Sequence, residues 1–375
     1  MHQPVDIIVD SPASLMILAM PLRFRKLTIT PESGLKNLNA LSLNPWFRSL
    51  ESLDLEGCKI QSLGPLASCA NLKHLNLSQC EGVVDLTPLS ACTALLSLDL
   101  FQTHASNLSP LSALTALEKL YLSSIEGLLD LGPLAACTAL RHLDLSSNVD
   151  LSDLSPLAAC TALRHLDLFF CVQVRDLAPL APLDQLRYLD LTICPVDTLD
   201  SLGSCTALQV LILIGCANIE RLDPLATCKD LRDLMMNNAT GVKSIAPLVN
   251  CTALESLDIS SCCNIHDLSP LDNCFAIKYL DITCVGIGSD LESDDNDQES
   301  DDDDQESDDT LESDDDLESD DDDLESDDDN CESDDDLESN DTHIENDQDQ
   351  DHFDTVILMP LLTSCLAMVR RLTTG

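Results

Sequence analysis

The side chains here that are able to hold a metal, attack a carbonyl or carry a proton are 18 cysteines, eight histidines and 67 carboxylates. Their spacing decides among these chemistries. Eight cysteines keep one beat: Cys69, Cys92, Cys137, Cys160, Cys205, Cys228, Cys251 and Cys274. Six more, Cys58, Cys80, Cys171, Cys194, Cys216 and Cys262, keep a second, which Thr103, Ile125, Asn148 and Ala239 fill elsewhere. A disulfide framework does not tolerate such swaps. A column of buried small side chains does, because a free cysteine packs as a compact apolar group. The columns read as reduced, structural thiols, which implies an intracellular setting, cytoplasmic or nuclear. No CxxC pair is present, and the adjacent Cys262 and Cys263 lack the matching His and Cys that zinc requires.

The carboxylates form columns too. One position reads Asp54, Asn76, Asp99, Tyr121, Asp144, Asp167, Asp190, Ile212, Met235, Asp258 and Asp281, with aspartate at seven of the eleven. Like charges in adjacent strands repel, so the ladder suits a basic ligand. His74, His142 and His165 stand beside it and read as a solvated column rather than a metal site. With no Gly-rich phosphate loop and no nucleophile elbow, and with Ser, His and Asp in columns rather than converging, the chain reads as non-catalytic and cofactor-free.

These columns need elements to position them. L-x-x-L-x-L recurs eleven times between Leu50 and Ile282, every 22 or 23 residues, after a weaker copy at Phe24, Leu27 and Ile29. A fixed period of this length means a solenoid. In His142-Leu143-Asp144-Leu145-Ser146 polar and apolar residues alternate, the mark of a strand with one buried face. The spacing predicts Leu143 and Leu145 inward and His142, Asp144 and Ser146 outward. The stretch Leu154–Cys160 suits a short helix or 3-10 turn, with Ser155 as N-cap and Pro156 where a missing N–H costs nothing.

The repeat is similar to that of the leucine-rich repeat superfamily, in particular to the 22-residue repeats with "DLSPL…LTAL" segments of bacterial internalins and of a eukaryotic phosphatase-regulatory subunit. The resemblance implies an α/β solenoid: a right-handed horseshoe with a concave parallel β-sheet and short convex helices or 3-10 turns. Strands about 4.8 Å apart would make a concave arc of twelve repeats roughly 50 Å long. On it Phe101, Tyr121, Phe169, Tyr188, Val210, Ile212, Ile214 and Met235 take predicted outward positions, a concentration in a chain with 3% aromatics. Exposed apolar patches mark interaction sites. The candidate partner-binding residues are therefore Asp99, Phe101, Tyr121, Asp144, Asp167, Phe169, Tyr188, Asp190, Ile212 and Met235.

Composition divides the chain into four regions: a lead-in or N-terminal cap over 1–21, the solenoid over 22–287, an acidic low-complexity tract over 288–351, and a short apolar segment over 352–375. The net charge is −48, and residues 290–351 hold 36 of the 67 acids and no Lys or Arg. The remainder sets 31 acids against 19 bases. Such a polyanion is expected to be disordered. The balance speaks against nucleic acid as a direct ligand and for basic proteins, with weak Ca²⁺ capture by the tract as an accessory property. No stretch reaches the roughly 18 apolar residues that a membrane-spanning helix needs. Ser300, Ser313, Ser319, Ser326 and Ser333 are each followed by acids, the pattern of acidophilic casein-type kinase substrates. A solenoid with an acidic tail resembles the acidic leucine-rich nuclear phosphoproteins, a likeness that implies histone binding and phosphatase regulation. The expectation is an intracellular protein–protein interaction scaffold with a concave binding face and a polyanionic arm. The alternative is a regulatory subunit of an enzyme such as a phosphatase or ubiquitin ligase, with a merely solubilising tail.

Overall fold

In the computed structural model the chain divides into two units, Met1–Gln298 and Glu299–Gly375. The structure describes residues 5–14 and 24–286, all in the first unit. These form one parallel sheet of 13 strands paired in chain order. Strand β1, Val5–Val9, lies in the lead-in and pairs with β2, Phe24–Ile29. Three-residue strands follow, among them β5 (Ser97–Asp99), β6 (Lys119–Tyr121), β7 (His142–Asp144), β8 (His165–Asp167), β9 (Tyr188–Asp190), β10 (Val210–Ile212), β11 (Asp233–Met235), β12 (Ser256–Asp258) and β13 (Tyr279–Asp281).

The period fixes this register. Leu143, Leu166, Leu189 and Leu211 pair strand to strand, all fully buried. Each leucine so removed from water contributes about 1.5–3 kcal/mol, and no repeat buries its apolar face without its neighbours. At the N-terminal end Phe24 packs edge-on against Trp46, ring centres 5.0 Å apart. At the other end Leu280 is 42% exposed and Phe275 90%, because among the described residues β13 has no further strand beside it.

The return segments are 3-10 turns such as Ser155–Ala159, with Pro156 in the first turn. The expected Ser155 cap is corrected. The residue preceding the turn is Leu154, which has no capping side chain. Asp153 holds the turn instead, its Oδ1 accepting the Ser155 N–H at 2.8 Å. Asp85, Asp130, Asp176 and Asp267 do the same in their repeats. The acceptor sits one position ahead of the capping residue, two residues before the N–H it satisfies.

All sixteen cysteines among the described residues are free, and fourteen are buried. The second column donates S–H to the inner-strand carbonyl of the preceding repeat, as in Cys171 to Leu145 O at 3.2 Å and Cys194 to Leu168 O at 3.1 Å. Where Asn148 interrupts, its amide reaches Leu122 O at 2.9 Å and accepts from Ile125 N at 3.1 Å. The thiol thus performs one of the amide's jobs. Burial pushes the thiols of Cys92 and Cys160 up to about 11 and those of Cys171 and Cys216 up to about 12, so they stay protonated and unreactive.

Candidate functional site on the open sheet face

The carboxylate ladder has a structural origin. Asp99, Asp144, Asp167, Asp190, Asp258 and Asp281 each turn Oδ1 toward the N–H two residues on, at 2.7–2.9 Å. Asn76 does the same for Ser78 at 2.9 Å. The bond steers the chain into a left-handed residue at the next position, for example Ser147, Phe170 and Ile193 with φ of 60°, 59° and 63°. That conformation is unfavourable for side chains as bulky as Phe and Ile. It persists because each left-handed N–H donates to the next repeat, Phe170 to Thr192 O at 2.9 Å and Ile193 to Ile214 O at 2.8 Å.

Between β6 and β10 this scaffold presents four strips. Along one edge run Arg141, Arg164 and Arg187, directly before their strands. The first strand positions carry His142, His165 and Tyr188 in register. Their rings stack, centres 4.0 Å apart at each step and planes 14° and 8° from parallel, with Tyr121 tilted against His142 at 4.9 Å. The third positions carry Asp144, Asp167 and Asp190 in register, and beyond them lie Phe169, Phe170, Ile193 and Ile214, half-buried.

The stack corrects the expectation of a solvated histidine column. His142 and His165 are half-buried, and burial holds their pKa values down at about 4 and about 3, the neighbouring His142 adding to the effect on His165. Both rings are neutral at pH 7. Only His74, separated from them in the column by Ser97 and Lys119, is exposed. Burial raises the Asp167 pKa well above the usual carboxylate range, and the charges of Asp190 and Asp144 add to it. It also raises Asp190, against the opposing hydrogen bonds from Thr192 and Tyr188.

The residues chosen from sequence all lie along this face, but unequally. Tyr121, Asp144, Asp167, Phe169 and Tyr188 come together and are half-buried. Asp190 is only 6% exposed and Ile212 only 2%, so neither offers itself to a partner as expected. Phe101 and Phe169 stand in the turns after their strands, not within them. Asp99 and Phe101 sit two strands from β7, and Met235 continues the column beyond Ile212. Sequence reasoning missed Phe170, Ile193 and the arginine edge. Bulky residues at the position where other repeats place Gly57, Gln79, Ser124 or Gly215 were the available signal. Ser300, Ser313, Ser319, Ser326 and Ser333 lie outside the described residues.

Among the described residues no group of three His, Cys, Asp or Glu side chains is placed to hold a metal ion, and no helix is long and apolar enough to cross a membrane. A cleft of about 780 Å³ off the sheet face is lined by groups that pair with one another, Asn218 with Asp197 at 3.0 Å and Arg221 with Asp223 at 2.8 Å.

The family model of leucine-rich repeats, in two copies, matches residues 48–91 and 138–182, and the 13 parallel strands in chain order form a solenoid of that kind. Among solved structures the chain is similar to the internalin InlF of Listeria monocytogenes, at 26% identity over 70% of this chain and 80% of that one, with a TM-score of 0.57. The functional domain of InlJ from the same organism, described as including a cysteine ladder, is 20% identical over 70% of this chain and 58% of that one, TM-score 0.54. A leucine-rich-repeat protein of Leptospira interrogans is 18% identical over 74% and 88%, TM-score 0.55. No curated protein matches the chain. Leucine-rich-repeat solenoids generally serve protein–protein interaction.

Proposed function

We propose that this protein is a non-catalytic interaction scaffold that binds a protein partner on the open sheet face between β5 and β11. The observation that carries the reading is the strip of Tyr121, Phe169, Phe170, Tyr188, Ile193 and Ile214, apolar and half-buried on a face lined by charge. Aromatic side chains in such a setting make effective interface anchors because they bury much area at small entropic cost. The acidic tract is a polyanionic arm that attracts basic proteins such as histones, and the fourteen buried unpaired thiols suit a reducing, intracellular compartment. Affinity capture with the full chain, its Phe169→Ala variant and a chain ending at residue 289 tests this. Partners of the face are lost with Phe169→Ala and kept after truncation, whereas partners of the arm show the reverse. Capture unchanged by Phe169→Ala would overturn the assignment of the face.

In the alternative reading the captured partner is an enzyme, and the protein is its regulatory subunit. Retention of that partner by the truncated chain, with changed activity of the enzyme, is the discriminating result.

A further inference from the structure

One column of this acidic protein is basic. It stands directly before the strands, one residue per repeat, and holds seven of the chain's 19 lysines and arginines. Backbone bonds fix its register: the Lys73 N–H donates to Glu51 O at 2.7 Å, Arg164 to Arg141 O at 2.9 Å, Arg187 to Arg164 O at 2.8 Å and Lys278 to Glu255 O at 2.7 Å. Near either end the chain sets a glutamate between two cations. Glu51 meets Arg25 at 3.2 Å on one side and Lys73 at 2.9 Å on the other. Glu255 likewise meets Arg232 at 3.1 Å and Lys278. Hydrogen bonds from Lys73 and Lys278 lead the effects that hold the two carboxyls below the usual carboxylate range.

At the centre the pattern breaks. Arg141, Arg164 and Arg187 are consecutive, and Arg164 fills the place that Glu51 and Glu255 take in their triplets. Arg141 meets Glu118 at a loose 3.9 Å. Arg164 is exposed and forms no ion pair among the described residues. Like charges on adjacent strands repel, and here the chain supplies no carboxylate between them. We propose that this edge docks an acidic segment of the partner, whose carboxylates enter between Arg141 and Arg164. The inference rests on the proposed function and deepens it.

Carboxylates fit because the same column already seats two of them between cations. A guanidinium offers a carboxylate two parallel N–H donors. Arginines one strand apart stand about 4.8 Å from each other, so one carboxylate reaches both. The neighbouring strips leave the charge of the run in place. His142 and His165 are neutral rings, and Asp190 is buried with Oδ1 bonded to the Thr192 N–H. On the other margin of the face, Phe169, Phe170 and Ile193 receive the partner's apolar residues. The partner surface that fits is therefore acidic along one side and apolar along the other.

The test uses the full chain and a fluorescent hexaglutamate peptide at about 0.15 M salt, where exposed charges more than about 8 Å apart are largely screened. Arg164→Glu gives the central triplet the arrangement that Glu51 has between Arg25 and Lys73. It is expected to weaken peptide binding at least tenfold and to leave the urea midpoint at or above that of the wild type. Arg175→Glu makes the same change in net charge at an exposed site off the column, and is expected to bind as the wild type does. Every variant carries the same acidic tract, so its effect cancels in the ratios. Absence of saturable binding by the wild type overturns the inference, as does equal affinity of the two variants. A lower midpoint for Arg164→Glu also overturns it, because the place between the arginines would then reject a carboxylate. Affinity capture separates this failure from failure of the proposed function. Partners lost with Phe169→Ala but kept with Arg164→Glu leave the face as a binding surface without an acidic contact; partners kept by both variants remove the face itself.

Discussion

Asp190→Asn should make the protein more stable, although it alters a side chain that holds a turn. Asp190 and Asp167 occupy adjacent strands in register, so their carboxylates lie about 4.8 Å apart. Two unit charges at that distance and an effective dielectric of about 20 repel by about 3.5 kcal/mol. The amide removes the charge and keeps an oxygen for the Thr192 N–H, now bonded at 2.7 Å. Exchanging a charge-assisted bond for a neutral one costs about 1 kcal/mol. The net expectation is a gain of about 2 kcal/mol at pH 7, read as a higher urea midpoint with an unchanged slope. Asp190→Ala removes the same repulsion but strands the buried Thr192 N–H, which costs about 1–3 kcal/mol, so its midpoint should rise by no more than that of Asp190→Asn. The pH dependence supplies an independent check. With their native pKa values raised, Asp167 and Asp190 bind protons more readily folded than unfolded. Wild-type stability therefore falls as pH rises from about 3.9, the unfolded value, through the raised native values, and the Asp190→Asn curve is flatter over that range. A midpoint for Asp190→Asn at or below the wild type at pH 7 would show that the ladder is not under electrostatic strain.

Three further outcomes are expected. His142 and His165, with native pKa values near 4 and 3, are protonated first in the unfolded chain, so they withdraw stability as pH falls from about 6.5 toward those values; His165→Gln should lose less over that interval in parallel urea titrations. A thiol reagent at pH 8 should modify Cys263 and Cys284, the two exposed cysteines among those described, within the native protein, and the fourteen buried ones only after denaturant; rapid native labelling of the buried columns would contradict their packing. A Cβ at Gly241 would sit 2.4 Å from the carbonyl oxygen of Ala217 and 2.5 Å from that of Ile219, whereas one at Gly203 meets nothing nearer than Pro224 at 3.8 Å. Thermal melts should accordingly place Gly241→Ala about 1–3 kcal/mol below the wild type and leave Gly203→Ala close to it.

The amino-acid sequence by itself determined the strand positions, the inward leucines, the cysteine columns and the line of aspartates. It does so because the translation from one repeat to the next is constant: residues 22 or 23 apart must become neighbours, and alternation within a strand decides which way each points. Spacing could not reveal which outward residues remain available. Ile212 and Asp190 point outward by pattern yet are buried, while Phe170 and Ile193, in left-handed turn positions outside the strands, are half-buried. His142 and His165 read from the sequence as a solvated column and Tyr188 as an outward aromatic, whereas in the fold the three are one continuous stack of rings. Burial at a surface depends on the size of side chains one strand away on either side and on the turn that each aspartate shapes, and those quantities exist only once the repeats have stacked.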